Sequence, residues 1–261
     1  MSVLLEASEL NMHFKGLKAV NNFNAQIEKG SICGLIGTNG AGKTTVINML
    51  SGVLVPTSGK IIFDGKNITG VRPDKIAKMG ITRTYQNLRL FKKMTVLENV
   101  IIGAQMHDRL DPLGIVGNTI PHKRREAELK DKSMEMLKVM GIEKYADHIS
   151  GSLPYGSQRK LEIARVLAAD PKLLLLDEPA AGMNPQESAE LTEIIRGIRD
   201  RYGLTILLIE HDMKVVMGLC EYIYCMAFGE IISEGLPEAV RNDPKVIEAY
   251  LGRGAVHAEN W

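Results

Sequence analysis

Residues 37–45 read Gly37-Thr38-Asn39-Gly40-Ala41-Gly42-Lys43-Thr44-Thr45, and this stretch decides how the rest of the chain is interpreted. It fits the phosphate-loop pattern of a glycine, four residues and then Gly-Lys-Thr. An apolar run at 32–36 precedes it, and a run with helical spacing at 46–50 follows it. That order of strand, loop and helix is the one the motif requires. A glycine-rich turn before a helix would explain the glycines alone, but the flanks favour a site for nucleotide phosphates.

The residue types of this loop, hereafter the phosphate loop, suit distinct tasks. Glycines let the backbone turn its N–H groups toward phosphate oxygens, and the following helix presents the positive end of its dipole. Lys43 is expected to reach the β- and γ-phosphates, and the Thr44 hydroxyl is expected to bind Mg²⁺. The predicted nucleotide contacts in the loop are Gly37, Asn39, Gly40, Ala41, Gly42, Lys43, Thr44 and Thr45.

The composition is that of an ordinary globular protein. Of 261 residues, 45% are hydrophobic and 24% charged, and the formal net charge of +1 argues against a nucleic-acid partner. No apolar stretch approaches the roughly 18 residues of a membrane span, and the N-terminus lacks a signal-peptide pattern. Cys33, Cys220 and Cys225 have no metal-ligand spacing, so we expect reduced residues in or near the core.

Hydrophobic spacing predicts an α/β fold with a mainly parallel sheet, interrupted by a helical insert at about 89–165. Thr95 and Glu98 form a capping-box pattern that opens a helix, and Asp64-Gly65 is a hairpin turn. The expected elements are strands at 3–5, 20–27, 60–63, 173–176, 205–209, 222–227 and 230–234, a loop containing 111–114, a helix at about 122–140, and a final helix from Asp243-Pro244 to about Gly252.

Two carboxylates, Asp177 and Glu178, follow the apolar run Leu173 to Leu176. We expect this strand tip to lie beside the phosphate loop, where Mg²⁺ and an attacking water must be held. Asp177 is then the predicted metal residue, usually acting through water, and Glu178 the predicted general base, a role that contributes roughly 10²–10⁴-fold to rate. In isolation, the pair would read as two surface carboxylates.

His211 follows the next apolar strand, and Gln86 lies in the segment Thr84-Tyr85-Gln86-Asn87. A neutral imidazole both donates and accepts hydrogen bonds, so His211 is expected to touch the γ-phosphate or to hold Glu178. A lone histidine is more often a surface residue, and a lone loop glutamine is usually structural. The position of His211 one strand after the carboxylates favours the catalytic reading.

Five motifs occur in the order and spacing of an ABC transporter ATPase subunit, which the chain resembles over nearly its whole length. Within that family, the sequence at 80–86, 94–100, 161–165 and 178–185 is similar to the sequences of ATPases from branched-chain amino acid uptake systems. The motifs are the phosphate loop, Gln86, Leu153-Pro154-Tyr155-Gly156-Ser157-Gln158, the strand ending Asp177-Glu178-Pro179 with Ala181-Gly182-Met183-Asn184 after it, and His211.

The resemblance implies the ABC ATPase architecture. This is a P-loop NTPase with a RecA-like, mainly parallel sheet core, an antiparallel β subdomain and a helical subdomain insert. It implies one nucleotide-binding domain at 1–252, with a core at about 1–88 and 166–252, a helical subdomain at about 89–165 and a tail at 253–261. The implied cofactors are ATP and Mg²⁺, and the implied activity is ATP hydrolysis coupled to transport.

Further roles come with the resemblance. Phe14 falls where the family places an aromatic residue that stacks on adenine. Without the resemblance, Phe14 could equally be a residue of the hydrophobic core. Gln86 would sense the metal and the γ-phosphate, and the loop at about 87–95 would meet a membrane subunit. In the signature segment, residues 153–158, Pro154 and Tyr155 replace the usual serine and glycine. Gly156 and Ser157 are left to contact phosphate.

In the family that the chain resembles, the signature segment of one chain completes the nucleotide site at the phosphate loop of another. The resemblance therefore implies a second ATPase chain. That chain is a copy or a different, paired ATPase. Transmembrane permease subunits and, indirectly, an extracytoplasmic solute-binding protein are the other implied partners, and no nucleic acid is expected. The implied location is peripheral, on the cytoplasmic face of the inner membrane.

Other functions remain open from the sequence. An ABC ATPase for another cargo, such as another amino acid or lipopolysaccharide, carries the same motifs, because partner subunits select the cargo. A non-transport ABC ATPase in DNA repair or translation usually carries paired ATPase units or long inserts, which this chain lacks. A P-loop kinase or GTPase is disfavoured, since no guanine-recognising Asn-Lys-x-Asp occurs.

Overall fold

The structure, a computed structural model, describes residues 2–107 and 120–251. Within these residues the strands are β1 (Val3–Phe14), β2 (Leu17–Glu28), β3 (Ile32–Gly37), β4 (Ser58–Phe63), β5 (Lys66–Asn67), β6 (Ile81–Arg83), β7 (Leu173–Asp177), β8 (Thr205–Ile209), β9 (Tyr222–Ala227) and β10 (Glu230–Gly235).

The helices in the same residues are α1 (Lys43–Leu50), α2 (Pro73–Met79), α3 (Val96–Ala104), α4 (Ile120–Val139), α5 (Tyr155–Leu167), α6 (Pro185–Tyr202), α7 (Met213–Leu219), α8 (Pro237–Arg241) and α9 (Pro244–Leu251). Short 3₁₀ turns occupy Gln105–His107, Glu143–Tyr145 and Ser150–Ser152. No helix in the described part of the chain is long and apolar enough to cross a membrane.

The central sheet has the order β10-β9-β3-β8-β7-β6, with every neighbouring pair parallel except β9 and β10. All residues of β3, β7 and β8 are buried, as expected for parallel strands covered on both faces. The predicted mainly parallel α/β core is confirmed, and Cys33, Cys220 and Cys225 are free, buried residues as expected. Within the sheet, β8 lies between β3 and the carboxylate strand β7, an order that the sequence analysis does not predict.

A second sheet is antiparallel, with the order β2-β1-β4-β5. The predicted turn joins β4 to β5, with φ +49° at Asp64 and +74° at Gly65, as a two-residue hairpin favours. β1 is much longer than the predicted strand at 3–5. Its pairing register shifts between Ala7 and Leu10, around Glu9 at φ +51°, and this irregularity breaks the alternation that reveals a strand.

Between β6 and β7 the described chain is helical, as expected for the insert. α3 packs against both α4 and α5, and the three helices share a buried cluster that includes Val100, Leu137 and Leu161. Gly103 is required where α3 meets α5, because a Cβ there would lie 2.0 Å from the Arg165 carbonyl oxygen. The two helices are therefore in backbone contact.

The predicted helix limits hold within two residues where they are described. α4 begins at Ile120 rather than about 122, and Gly141 follows it at φ +66°. The Asp243 carboxylate accepts a hydrogen bond from the Lys245 N–H at 2.8 Å, which confirms the start of α9. The predicted loop at 111–114, the end at Gly252 and the tail at 253–261 lie outside the described residues.

The capping box at the start of α3 is confirmed in both directions. The Thr95 hydroxyl accepts a hydrogen bond from the Glu98 N–H at 3.2 Å, and the Glu98 carboxylate accepts one from the Thr95 N–H at 2.7 Å. We expect Thr95→Ala to lower the free energy of unfolding by about 1 kcal/mol, measured by urea denaturation. Thr192→Ala, inside α6, is the control and should change it by less than about 0.5 kcal/mol. If Thr95→Ala and Thr192→Ala changed the free energy of unfolding equally, the capping box would contribute no stability of its own.

Candidate functional site

The phosphate loop is packed tightly against β9. Gly37 has φ +147°, and a Cβ there would lie 2.1 Å from the Met226 carbonyl oxygen. Gly42 has φ +103°, and a Cβ there would lie 2.6 Å from the Ala19 carbonyl oxygen. The glycines at these two positions therefore let the loop lie directly on its neighbours, which fixes its place at the end of β3.

Lys43 is the first residue of α1 and its side chain points back into the loop. Its ammonium donates hydrogen bonds to the carbonyl oxygens of Gly37 at 2.6 Å and Thr38 at 3.0 Å. Burial lowers the pKa of Lys43, while the nearby charges of Glu178 and Asp177 act in the opposite direction. The cation therefore lies within the loop, with two carboxylates in its electrostatic surroundings.

A cavity of about 430 Å³ opens beside the loop. Of the predicted site residues it brings together Asn39, Gly40, Ala41, Gly42, Lys43, Thr44, Thr45, Gln86 and Glu178. Its other lining residues are Leu17, Lys18, Ala19, Phe228 and Gly229. The predicted residues that do not line it are Phe14, Gly37, Gly156, Ser157, Asp177 and His211.

Glu178 lies immediately after β7, at the edge of the sheet where the parallel strands end. Its backbone has φ +48°, and its N–H donates to the Ile209 carbonyl oxygen at 2.9 Å. The Glu178 carboxylate accepts a hydrogen bond from the Gln86 side-chain amide at 3.1 Å. The imidazole Nδ1 of His211 is 3.9 Å from the same carboxylate oxygen, which is too far for a hydrogen bond.

Glu210 also belongs to this edge of the sheet, although sequence reasoning did not select it. Its carboxylate accepts hydrogen bonds from the Ala180 N–H at 2.9 Å and the His211 N–H at 3.1 Å. Burial raises the pKa of Glu210, and these backbone donors oppose the rise. The side chain thus ties the end of β8 to the segment that follows Glu178. A charged residue directly before His211 was the available signal.

Asp177 is buried and pairs with Arg83, which sequence reasoning also missed. Arg83 Nη2 is 3.0 Å from the Asp177 carboxylate, and both side chains are 6% exposed. Arg83 Nη1 donates to the Asn48 side-chain oxygen at 2.6 Å. Burial raises the pKa of Asp177, and Arg83 opposes the rise. The predicted metal residue is therefore held by a cation from the end of β6.

The donor set suits Mg²⁺ only when substrate phosphates complete it. The described residues contain no group of three or more His, Cys, Asp or Glu side chains that could hold a metal ion by themselves. Mg²⁺ prefers oxygen ligands and is commonly held by one or two protein groups together with phosphate oxygens. An exposed Thr44 hydroxyl in the cavity and the nearby Asp177 carboxylate fit that pattern.

The signature segment lies apart from this cavity, at the start of α5. Gly156 is buried against Glu187, where a Cβ would approach the carboxylate to 3.0 Å, and Tyr155 lies against Gly182. Pro154 caps the helix without a side-chain hydrogen bond. The Asn184 side chain accepts hydrogen bonds from the Gln186 and Glu187 N–H groups at 3.0 and 2.9 Å, so Asn184 acts as a helix cap.

Arg159 of α5 joins the signature segment to the Gln86 loop, and it too was missed. Its fully buried guanidinium donates to the carbonyl oxygens of Tyr85 at 2.8 Å and Gln86 at 3.0 Å. It also donates to the Tyr155 hydroxyl at 3.2 Å and to the Glu162 carboxylate at 2.9 Å. One side chain therefore fixes the backbone of Gln86 relative to the start of α5.

A larger cavity of about 750 Å³ lies between the core and the helical insert, hereafter the insert groove. Its lining includes Val53, Tyr85, Leu90, Phe91, Met106 and Arg165. Phe91 is 48% exposed, and the guanidinium carbons of Arg83 and Arg89 are 4.6 and 5.1 Å from the centroid of the Tyr85 ring. The groove is apolar with a cationic margin, and it adjoins the Gln86 loop.

Comparison with known proteins gives matches over most of the chain. Residues 20–181 match the family described as "ABC transporter", and residues 230–256 match "Branched-chain amino acid ATP-binding cassette transporter". The high-affinity branched-chain amino acid transport ATP-binding proteins BraF of Pseudomonas aeruginosa and LivG of Escherichia coli K12 are 43% and 44% identical over 249 residues. Each alignment covers 95% of this chain and 98% of the relative.

A solved structure agrees with these relatives. The ADP conformation of MJ1267, an ATP-binding cassette of an ABC transporter, superposes with a TM-score of 0.84 at 32% identity. The superposition covers 97% of this chain and 100% of that one. The similarity therefore extends across the parallel core, the antiparallel sheet and the helical insert.

Proposed function

Because this chain belongs to the ABC transporter family of ATP-binding proteins, we propose that it is the ATP-hydrolysing subunit of an importer for branched-chain amino acids. The observation that carries the proposal is the cavity of about 430 Å³. Residues 39–45 of the phosphate loop line it together with Gln86 and Glu178. The names of the similar proteins supply the cargo, which is leucine, isoleucine or valine.

In the proposed reaction, ATP binds with its β- and γ-phosphates against Lys43 and the N–H groups of the phosphate loop. Glu178 accepts a proton from a water molecule, whose oxygen attacks the γ-phosphorus while the bond to the ADP oxygen breaks. Gln86, already hydrogen-bonded to Glu178, orients that carboxylate. His211 Nδ1 is 3.9 Å from that carboxylate, so a small movement would bring it into hydrogen-bond distance. Thr44 and Asp177 would hold Mg²⁺, which would supply charge neutralisation of the phosphates.

The active unit proposed here contains two ATPase chains. Gly156 and Ser157 do not line the cavity of their own phosphate loop, and we propose that the start of α5 closes the nucleotide site of a second chain. The α5 helix contributes its positive dipole end and N–H groups that no side chain caps. The second chain is either a copy or a paired ATPase, and ATP at each interface links the two.

The membrane partner is proposed to dock in the insert groove. An apolar lining with exposed Phe91 suits a protruding permease segment, and Tyr85 connects the groove to Gln86. This docking would hold the chain peripherally at the cytoplasmic face of the inner membrane. A solute-binding protein on the other side would deliver the amino acid to the permease.

We expect Phe91→Glu to prevent copurification of the chain with its permease subunits, because a carboxylate in the groove opposes burial of an apolar partner. Affinity purification after co-expression measures whether the chain binds its permease subunits. Leucine uptake into proteoliposomes then measures transport by the purified complex. Leu236→Glu, at a 66% exposed position that does not line the groove, is the control and should copurify normally.

Transport of an unrelated solute by the purified complex, without uptake of leucine, isoleucine or valine, would contradict the proposed cargo.

A further inference from the structure

Glu210 is a buried carboxylate to which the proposed hydrolysis gives no role. It follows β8 directly, precedes His211 and is only 1% exposed. It does not line the cavity beside the phosphate loop, so it is not placed to touch ATP. Glutamate is almost never fully buried unless its carboxylate is paired or hydrogen-bonded, because burial removes its hydration. The groups that bond to this carboxylate therefore indicate what it does.

Backbone N–H groups from the ends of two strands meet at the Glu210 carboxylate. Its Oε1 accepts a hydrogen bond from the Ala180 N–H at 2.9 Å, and its Oε2 accepts one from the His211 N–H at 3.1 Å. Ala180 lies two residues after Glu178, in the segment that follows β7. Hydrogen bonds to an ionised acceptor are roughly twice as strong as neutral ones. Glu210 therefore cross-links the segment that carries Glu178 to the segment that carries His211.

The cross-link holds the backbone around Glu178. The Glu178 N–H donates to the Ile209 carbonyl oxygen at 2.9 Å, and two residues later the Ala180 N–H is bonded to Glu210. Glu178 itself has φ +48°, a left-handed conformation that is unfavourable for a residue with a side chain. Such a conformation persists only where the surrounding contacts enforce it. The bonds to Ile209 and Glu210 supply two of those contacts.

His211 lies in the short link between β8 and α7, and both neighbours anchor it. Glu210 accepts its N–H, and Asp212 caps α7 by accepting a hydrogen bond from the Lys214 N–H at 2.8 Å. The His211 imidazole Nδ1 is 3.8 Å from Glu210 Oε2 and 3.9 Å from Glu178 Oε2. The imidazole is thus almost equidistant from two carboxylates, of which only Glu178 lines the cavity.

We propose that Glu210 is a positioning residue for ATP hydrolysis that sets the spacing between Glu178 and His211, an inference that rests on the proposed hydrolysis. Glu210 acts through these two residues and does not touch the reacting atoms. Each of its oxygens holds one backbone N–H, so a side chain with a single acceptor can hold only one of the two segments. Glu210 therefore contributes to turnover and not to ATP binding.

Two variants of Glu210 test this role by phosphate release and by equilibrium binding of Mg·ATP. Glu210→Gln keeps one acceptor oxygen and turns the other into a donor, whereas Glu210→Met fills a similar space without a carboxylate or an amide. We expect both to lower kcat by up to about 100-fold, the loss that a misplacement of about 1 Å can cause, and to leave Mg·ATP affinity unchanged. Glu193→Gln, at a 69% exposed side chain outside the cavity, is the control and should change neither.

A double-mutant cycle with His211→Ala separates positioning from a general structural role. If Glu210 sets the spacing of the pair, Glu210→Met should lower kcat much less in the His211→Ala chain than in the wild type. Losses that simply multiply would overturn the proposal, as would wild-type turnover in both Glu210 variants. A loss of Mg·ATP affinity or of the folded state in both variants would also overturn it, because Glu210 would then only support the fold. A wild-type chain that does not hydrolyse Mg·ATP would instead contradict the proposed function.

Discussion

Glu178→Gln is expected to lower the rate of ATP hydrolysis by about 10²–10⁴-fold, the usual contribution of a general base. Glutamine has nearly the same shape, and its side-chain oxygen can still accept the hydrogen bond from Gln86. It cannot take a proton from water at neutral pH. The bound ATP therefore persists, and since ATP links the two proposed chains, the variant should accumulate as a stable dimer with ATP.

Phosphate release and size-exclusion chromatography in Mg·ATP measure these two effects. Glu193→Gln is a matched control, because Glu193 lies on the exposed face of α6 and pairs only with a neighbouring arginine in the contacts described. It should keep wild-type turnover and the wild-type elution profile. If Glu178→Gln hydrolysed ATP at the wild-type rate, Glu178 would not be the base.

Arg159→Met should lower the free energy of unfolding by about 3–5 kcal/mol, the cost of leaving a buried ion without its partner. Both Arg159 and Glu162 have fully buried side chains, and the guanidinium also satisfies the Tyr85 and Gln86 carbonyl oxygens. Methionine fills much of the space but donates no hydrogen bond. The backbone of Gln86 would lose its attachment to α5, so turnover should fall even where the variant folds.

Urea denaturation of a double-mutant cycle isolates the ion pair. Arg159→Met with Glu162→Leu removes both charges and should regain part of the stability that Arg159→Met loses. Arg124→Met, which breaks an exposed pair with Glu128, should cost less than about 1 kcal/mol. A loss below 1 kcal/mol for Arg159→Met would contradict a structural role for the buried guanidinium.

The sequence predicted those parts of the fold that short-range patterns determine. The phosphate loop, the apolar strands before Asp177 and before His211, and the Thr95 capping box each depend on residues within a few positions of one another. The structure confirms the elements at each of them. Predictions for the β4–β5 turn succeeded for the same reason, since Asp64-Gly65 favours the left-handed backbone a tight hairpin needs.

Contacts between distant positions could not be predicted. Arg83 meets Asp177 across 94 positions, and Arg159 meets the Gln86 carbonyl across 73. In the sequence, a buried arginine with a partner far along the chain looks the same as a solvated one. The placement of β8 between β3 and β7 depends likewise on how crossover connections run rather than on the composition of the strands.

The absence of a side chain at Gly103 has a mechanical consequence. With the α3 backbone pressed against the Arg165 carbonyl, the pair resists sliding, as closely packed interiors do. Gly103 and Arg165 also form part of the groove floor, and α5 begins at Tyr155 in the signature segment. We therefore expect α3 and α5 to move together as one rigid unit, so that a displacement at the groove would be carried along α5 to Tyr155 at its start.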